Sequence, residues 1–293
     1  MTTVNPDLRR SAPTGLDLPQ PLADPRRRAA LPPARVLADI GLVTQRNLRK
    51  VLRNPRLIVF STIQPFMQLL LFAFVFSSVA TVGPGLGYKQ FVVPAVLVQT
   101  MTFAAMGSGI GIANDLHMGM IDRFRSLPIA RSAFLVGRTA SDSLRLGIQA
   151  CLLVAAALAI GFRFQTGVPA ALGMLVVVVM FGIALSSFSA WIGLAVRDPE
   201  TVQAAVFIPI LPLVFTSSAF APISRLPGWM QPVAKASPVT AAIDTARGLA
   251  LGDDVLVRLS GVHLHTAAWH FALWWIAIVG ISTALAVRRY RLG

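Results

Sequence analysis

The chain has 293 residues, of which 55% are hydrophobic and only 13% are charged. Its mean hydropathy of +0.68 excludes an ordinary soluble domain, in which about a quarter of the residues are charged. The net charge of +14 is a feature of many nucleic-acid-binding proteins. Here the basic residues concentrate between and beside apolar stretches, where they orient a membrane protein. Composition therefore predicts an all-α polytopic membrane protein that contacts the lipid bilayer and no nucleic acid.

The first 54 residues divide into two parts of different character. Residues 1–33 contain seven prolines and few apolar residues, which predicts a disordered cytoplasmic tail. Residues 34–54 place valine, isoleucine and leucine near helical spacing, with arginines and a lysine on the polar side. This pattern predicts an amphipathic interfacial helix in the cytoplasmic headgroup layer. A soluble helix packed on a partner is the alternative.

Six apolar stretches follow, each close to the length that crosses a hydrocarbon core about 30 Å thick. The third is the weakest, because Arg145 and Arg163 bracket only seventeen uncharged residues. Gly107, Gly109 and Gly111 in the second would allow another helix to approach closely. The predicted transmembrane domain covers residues 55–291. Its six transmembrane helices are predicted at about 57–80, 91–113, 143–162, 169–196, 203–222 and 267–287.

Lysine and arginine determine the predicted orientation. If the N-terminus is cytoplasmic, twenty basic residues lie on the cytoplasmic side and six lie outside. The inverted topology would reverse these numbers, against the positive-inside rule. Both termini are therefore predicted to be cytoplasmic. The connection between spans 2 and 3 is then cytoplasmic, and the region between spans 5 and 6 is extracellular.

The sequence contains no recognisable catalytic motif. No acidic residue falls in the middle of a predicted span, which argues against a proton-driven pump, although sodium coupling through backbone carbonyls stays open. The glycine-rich residues 83–90 lack the spacing of a phosphate-binding loop. His263, His265 and His270 cluster near the sixth span, but no cysteine and no close carboxylate joins them. We therefore predict no metal site and expect exposed loop histidines.

Four short motifs, in their order, resemble those of the ABC-2 type transport permeases, and in particular the daunorubicin-resistance efflux permeases. RFRSLPIAR lies at residues 123–131, GFRFQTG at 161–167 and RDPETVQ at 197–203. Residues 215–252 combine a small-residue turn, PGW, SPVT and an arginine in a short helical extracellular region. The family residues of that region are Pro227, Gly228, Trp229, Pro238 and Arg247. The resemblance covers roughly residues 40–290.

This resemblance implies an exporter in the bacterial cell membrane. It would contain two permease chains, as a homodimer or heterodimer, and two copies of a separate ABC ATPase subunit. ATP and Mg²⁺ would bind to the ATPase, and no cofactor to this chain. The family has glutamates near the first cytoplasmic loop, where this chain has Asp115 and Asp122.

A cytoplasmic coupling helix between spans 2 and 3 would contact the ATPase. Asp122 and Arg125 can face each other on one helical turn, and Pro128 would end the helix. Phe124 and Leu127 would offer an apolar knob for a groove. Charge that only orients the chain is the alternative. The candidate ATPase contacts are Asp122, Arg123, Phe124, Arg125, Leu127, Pro128, Arg197, Asp198 and Glu200.

By the same analogy, the substrate path runs along the first, second and fifth spans. Polar groups among aromatic rings suit an amphipathic molecule that enters from the bilayer, and ordinary interhelical hydrogen bonding is the alternative. We expect a permease for a hydrophobic drug, antibiotic or lipid-like metabolite. A lipid or polysaccharide exporter, an ion-driven secondary transporter, and an assembly or immunity protein without an ATPase stay open. The candidate path residues are Gln64, Gln68, Gln99, Thr102, Phe103, Phe215, Thr216 and Ser217.

Overall fold

A computed structural model describes residues 55–78, 86–118 and 131–292, and the account below concerns these ranges. Side chains are described from residue 62 onward, except those of residues 131–138 and 290–292. The predicted tail over residues 1–33 and the predicted amphipathic helix over residues 34–54 lie outside the described ranges. So do the predicted coupling residues 122–128.

The described residues are helical and contain no strand, as the apolar stretches predict. Helix α1 (Pro55–Leu70) continues through a π-helical turn over Leu71–Val75 and a 3₁₀ turn over Phe76–Ser78. Helices α2 (Tyr88–Ala104) and α3 (Met106–His117) follow each other almost directly. The other helices are α4 (Arg131–Ala159), α5 (Val168–Val196), α6 (Pro199–Phe215), α7 (Met230–Ala236), α8 (Pro238–Leu251), α9 (Asp253–Ser260) and α10 (Leu264–Leu292).

Four described helical stretches are long and apolar enough to cross a membrane. They lie at the second, third, fourth and sixth predicted spans. At the first and fifth predicted spans the apolar helices are shorter, over Thr62–Val75 and Pro199–Phe215. A multi-pass helical protein is therefore confirmed, whereas the count of six spans stays a prediction. The four stretches are Tyr88–His117, Thr139–Ala159, Val168–Val196 and Leu264–Arg289.

The second span, formed by α2 and α3, is the axis of the bundle. Of an apolar 18-residue stretch of this span, 83% is buried inside the protein, compared with 17% for the corresponding stretch of the last span. Every residue from Phe91 to Thr102 is buried. A helix that is apolar on all sides is stable when other helices surround it. The second span is in contact with α4, α5, α6 and α8.

Helix α3 crosses α5 at very short range, as the glycines of the second span predict. A β-carbon at Gly109 would collide with the Ser189 backbone, and one at Gly193 would collide with the Gly109 backbone. Only glycine permits this approach, which brings the backbones of the second and fourth spans together.

The connection between α6 and α10 folds back into the bundle through the short helix α8. The Ser237 hydroxyl caps its first turn by accepting from the Val239 amide at 3.3 Å, and Pro238 occupies the first helical position. Gly252, with a φ of 98°, ends the helix. Nearly all of α8 is buried against α2, α5 and α10. The predicted helical character of this region is thus confirmed.

Candidate functional site

The turn between α5 and α6 contains the described candidates for ATPase contact. Arg197 ends α5 with a φ of 66°, the one non-glycine residue with positive φ in the described part of the chain. Asp198 caps α6, because its carboxylate accepts from the Thr201 amide at 2.8 Å and from the Thr201 hydroxyl at 2.5 Å. Glu200 lies exposed in the first turn of α6. Arg197 and Glu200 are thus available on the surface, while Asp198 has a structural role.

The hydrogen bonds from Thr201 hold the pKa of Asp198 below its usual range, with a smaller electrostatic contribution from the nearby His117. His117 is the last residue of α3. The connection that contains residues 122–128 therefore begins beside the α5–α6 turn. The two predicted contact regions start from the same end of the bundle.

Two of the candidate path residues, Gln68 and Gln99, meet where α1 packs on α2. The Gln68 amide nitrogen donates to the Gln99 amide oxygen at 3.0 Å. Gln99 is only 3% exposed and lies among buried apolar residues of α2. Gln64, one turn before Gln68, is exposed. The amide pair is a polar point on an otherwise apolar helix contact.

The hydroxyl groups among the candidate path residues donate hydrogen bonds to backbone carbonyls three or four residues earlier in the chain. Thr102 donates to the Val98 carbonyl at 2.8 Å, and Thr216 donates to the Pro212 carbonyl at 2.7 Å. Ser217 donates to the Val214 carbonyl at 2.6 Å. Back-bonding of this kind is common for hydroxyls in apolar helices. These three groups therefore hold local backbone rather than join neighbouring helices.

The aromatic candidates border the exposed side of α6. The ring of the half-buried Phe103 lies 6.2 Å from that of Phe207, measured between centroids. The Phe215 ring is exposed and stacks on Phe220 at 5.5 Å. Ile208 is exposed between them. Helices α1 and α6 thus each present an apolar surface. Gln99 and Phe103 lie on the second span, and Gln68 of α1 bonds to Gln99.

Of the predicted extracellular residues, Arg247 forms the densest set of contacts. It is 2% exposed, donates from Nε to the Phe91 carbonyl at 3.0 Å, and donates from Nη2 to the Ser218 carbonyl at 2.7 Å. Its Nη1 lies 3.4 Å from Asp244 Oδ1. The guanidinium carbon lies 3.7 Å from the centre of the Phe91 ring. One side chain thereby connects α8, the N-terminal start of α2 and the segment after α6.

The charges of this cluster are balanced within the protein. Burial lowers the pKa of Arg247 to about 10, which leaves the guanidinium protonated at neutral pH. Burial raises the pKa of Asp244, against the opposing effect of Arg247 and of the Ser218 hydroxyl, which donates to it at 2.9 Å. A buried charge is tolerated only with such partners. Tyr88 adds a hydrogen bond from its hydroxyl to the Phe220 carbonyl at 3.3 Å.

The other predicted extracellular residues occupy different positions. Trp229 is exposed beside the equally exposed Pro227 and Gly228, whereas Pro238 is buried at the start of α8. Asp244 was not singled out from the sequence. Its position three residues before Arg247, on the same helix face in an apolar segment, was the signal that could have identified it.

The histidines near α10 have a carboxylate neighbour that the sequence did not predict. His263 Nδ1 lies 2.9 Å from Asp253 Oδ2, because the short helix α9 turns the chain back on itself. This hydrogen bond and one from the Leu264 amide lower the pKa of Asp253. The expectation that no carboxylate lies close is therefore wrong. The ring of His265 stacks on that of His263. Within the described ranges, no group of three or more His, Cys, Asp or Glu side chains could hold a metal ion.

The family assignment follows from comparison with known proteins. Residues 38–251 match the family model described as ABC-2 type transporter, which spans the bundle as far as the end of α8. The chain belongs to the ABC-2 type transporter family. Members of this family are multi-pass membrane subunits of transporters, and their ATPase activity lies on separate partner chains. This ABC-2 protein is accordingly a transporter subunit that works with a separate ATP-binding subunit.

Its relatives include drug-resistance permeases of Streptomyces and Mycobacterium. Over 222 residues, 75% of this chain and 78% of the relative, it is 31% identical to daunorubicin resistance ABC transporter permease protein DrrB1 of Streptomyces coeruleorubidus. It is 29% identical over 215 residues, 72% of this chain and 73% of the relative, to doxorubicin resistance ABC transporter permease protein DrrB of Mycobacterium tuberculosis. The putative transport permease ycf38 of Porphyra purpurea is 25% identical over 218 residues, 72% of this chain and 74% of the relative. The resemblance stated from the sequence motifs is thus confirmed.

Proposed function

We propose that this ABC-2 permease exports a hydrophobic or amphipathic drug, antibiotic or lipid-like metabolite from a bacterial cell. The observation that carries the proposal is the hydrogen-bonded pair of Gln68 and Gln99 at the apolar contact of α1 with α2. A small number of polar groups on an apolar surface is typical of sites for amphipathic ligands. The names of the DrrB and DrrB1 relatives refer to daunorubicin and doxorubicin resistance, which favours this substrate class.

The proposed path lies on the outer surfaces of α1 and α6. Met67, Phe74, Phe207 and Phe215 are exposed there, which leaves an apolar surface open to the bilayer or to a second permease chain. An amphipathic substrate that reaches this surface can exchange the bond between Gln68 and Gln99 for bonds to its own polar groups. A dimer of two permease chains, identical or different, would enclose the path between these surfaces.

The energy for export comes from ATP and Mg²⁺ on two copies of a separate ATPase. The proposed contacts are residues 122–128, whose arginines can pair bidentately with partner carboxylates, and the exposed Arg197 and Glu200. Both chain termini lie in the cytoplasm in this arrangement, as the positive-inside rule requires. The proximity of His117 to the α5–α6 turn supports a single contact area.

The test is ATP-dependent uptake by inside-out vesicles that contain this chain and its partner ABC ATPase. We expect daunorubicin to accumulate with ATP, and not when the catalytic glutamate of the ATPase is replaced by glutamine. Gln99→Leu should raise the KM for daunorubicin about 5- to 10-fold, the effect of one lost hydrogen bond. Gln165→Leu, on an exposed outer connection, is the matched control.

Two outcomes would contradict the proposal. Uptake driven by an ion gradient without ATP would place the protein among secondary transporters. ATP-dependent movement of a fluorescent phospholipid, with no movement of daunorubicin, would show a lipid exporter and reject the drug path at Gln68 and Gln99.

A further inference from the structure

The second span changes its hydrogen-bond spacing at Ala105, between α2 and α3. The Ser108 amide donates to the Ala105 carbonyl at 3.1 Å, three residues back instead of the four of an α-helix. The Ala104 carbonyl and the Gly109 amide are thereby left for partners outside the helix. A tightened turn inside a helix often marks a hinge.

Side chains from two neighbouring spans satisfy these backbone groups. Arg145 on α4 donates from Nη2 to the Ala104 carbonyl at 2.9 Å. Ser189 on α5 accepts from the Gly109 amide at 3.1 Å and donates to the Met106 carbonyl at 3.1 Å. Inside a membrane no water can take these places, so a broken span requires such partners. The break is therefore built into the packing of three spans.

Helix α4 contacts the break a second time through Asp142. The Ser108 hydroxyl donates to Asp142 Oδ2 at 2.5 Å. Asp142 and Arg145 are three residues apart and thus lie on one face of α4. Ionisable side chains within a membrane span are costly, and they are usually functional. Two ionisable side chains on one turn of α4 thus bond to the second span on either side of Ala105. Arg145 bonds to the Ala104 carbonyl, and Asp142 bonds to the Ser108 hydroxyl.

Helix α4 also leads directly from the cytoplasmic connection. It has 29 residues and begins at Arg131, immediately after the stretch that contains residues 122–128. A continuous helix of this length moves as a stiff rod. A displacement of its cytoplasmic start therefore reaches Asp142 and Arg145 within the same helix.

We propose that Asp142 and Arg145 are positioning residues that transmit movement of α4 to the break at Ala105 in the second span. The inference rests on the proposed function, in which an ATPase moves the start of α4. Ser189 holds the far side of the break against α5, so that the part of the span before Ala105 moves relative to the part after it. The outer part carries Gln99 and the proposed path.

The test measures daunorubicin moved per ATP hydrolysed in proteoliposomes that contain the full permease and its ATPase. Arg145→Ala and Asp142→Ala should each lower this ratio about 5-fold or more, while co-purification and basal hydrolysis stay within about 2-fold. Arg145→Lys, which keeps a donor for the Ala104 carbonyl, should restore much of the ratio. Ser189→Ala should lower the ratio as well. Ser187→Ala is its matched control, because the Ser187 hydroxyl bonds only to Ile183 of its own helix among the contacts described.

The outcomes separate this inference from the proposed function. An unchanged ratio in Arg145→Ala and Asp142→Ala overturns the inference, as does an equal loss in Ser187→Ala. If Arg145→Ala does not insert, Asp142→Ala and Ser189→Ala decide, since a full wild-type ratio in both also overturns the inference. Absence of ATP-driven transport in the unmodified protein rejects the proposed function instead.

Discussion

The guanidinium of Arg247 stacks on the ring of Phe91 and donates a hydrogen bond to the carbonyl of the same residue. The two residues are 156 positions apart. This contact joins the short helix α8 to the N-terminal start of the second span. Because of this contact, part of the connection between α6 and α10 is buried in the core. Its loss should therefore lower the stability of the protein.

Loss of either partner of the buried ion pair should be strongly destabilising. Asp244→Leu leaves Arg247 charged and unpaired in the core, for which we expect a loss of about 3–5 kcal/mol in unfolding free energy. The double change of Asp244 and Arg247 to leucine should lose less than either single change. Denaturant unfolding in detergent measures this, with the exposed Arg258→Leu as control. Additive effects of the two single changes would show that the residues do not act as a pair.

The close crossing of α3 and α5 should not tolerate even one added methyl group. Gly109→Ala would force the helices apart, at an expected loss of about 1–3 kcal/mol. Gly147→Ala in the third span is the control, since a β-carbon there meets no atom within 4 Å. Thermal unfolding followed by fluorescence-detected size exclusion compares the two. Equal melting temperatures would contradict the crossing.

The cap of α6 should make part of the stability depend on pH. Because hydrogen bonds lower the pKa of Asp198 in the folded protein, its contribution is fully present above the unfolded value of about 3.9. It is lost as the pH falls through the lower folded value. Asp198→Asn should therefore increase proteolysis of the α5–α6 turn at pH 7 and have a smaller effect in acid. Glu200→Gln is the control, and an equal effect at both pH values would contradict the prediction.

Reversal of the arginines in the predicted coupling helix should separate the permease from its ATPase. We expect Arg123→Glu with Arg125→Glu to abolish co-purification while the permease still inserts. The control is Arg26→Glu with Arg27→Glu, the same charge change in the N-terminal tail. Survival of co-purification, hydrolysis and export in the first variant would reject docking at these residues.

Much of the fold could be predicted from the sequence because it depends on local composition. Apolar runs of sufficient length identify the second, third, fourth and sixth spans, and the helical end at Gly252 follows from a residue that tolerates positive φ. The helix of the third span begins at Arg131, before the predicted span over residues 143–162. The charged residues Asp142 and Arg145 interrupt its apolar sequence. Both nevertheless bond within the protein, Arg145 to Ala104 on α2 and Asp142 to Ser108 on α3.

The details of the sites depend on distant contacts, which composition does not reveal. Gln68 and Gln99 were both named, but their bond depends on how α1 packs on α2. Arg247 was recognised through its motif, whereas its partners Phe91 and Ser218 come from other segments. The hydroxyl of Thr102, a candidate for the substrate path, donates to the Val98 carbonyl of its own helix.

The enclosure of the second span has a consequence for how the protein responds to its surroundings. Neighbouring helices shield α2 and α3 from the acyl chains, so bilayer thickness acts on them only indirectly. Helix α10 is the least buried of the four long spans, and we expect it to accommodate a mismatch by tilting. The permease should therefore keep the geometry around Ala105 in membranes of different lipid composition, and adjust at its periphery.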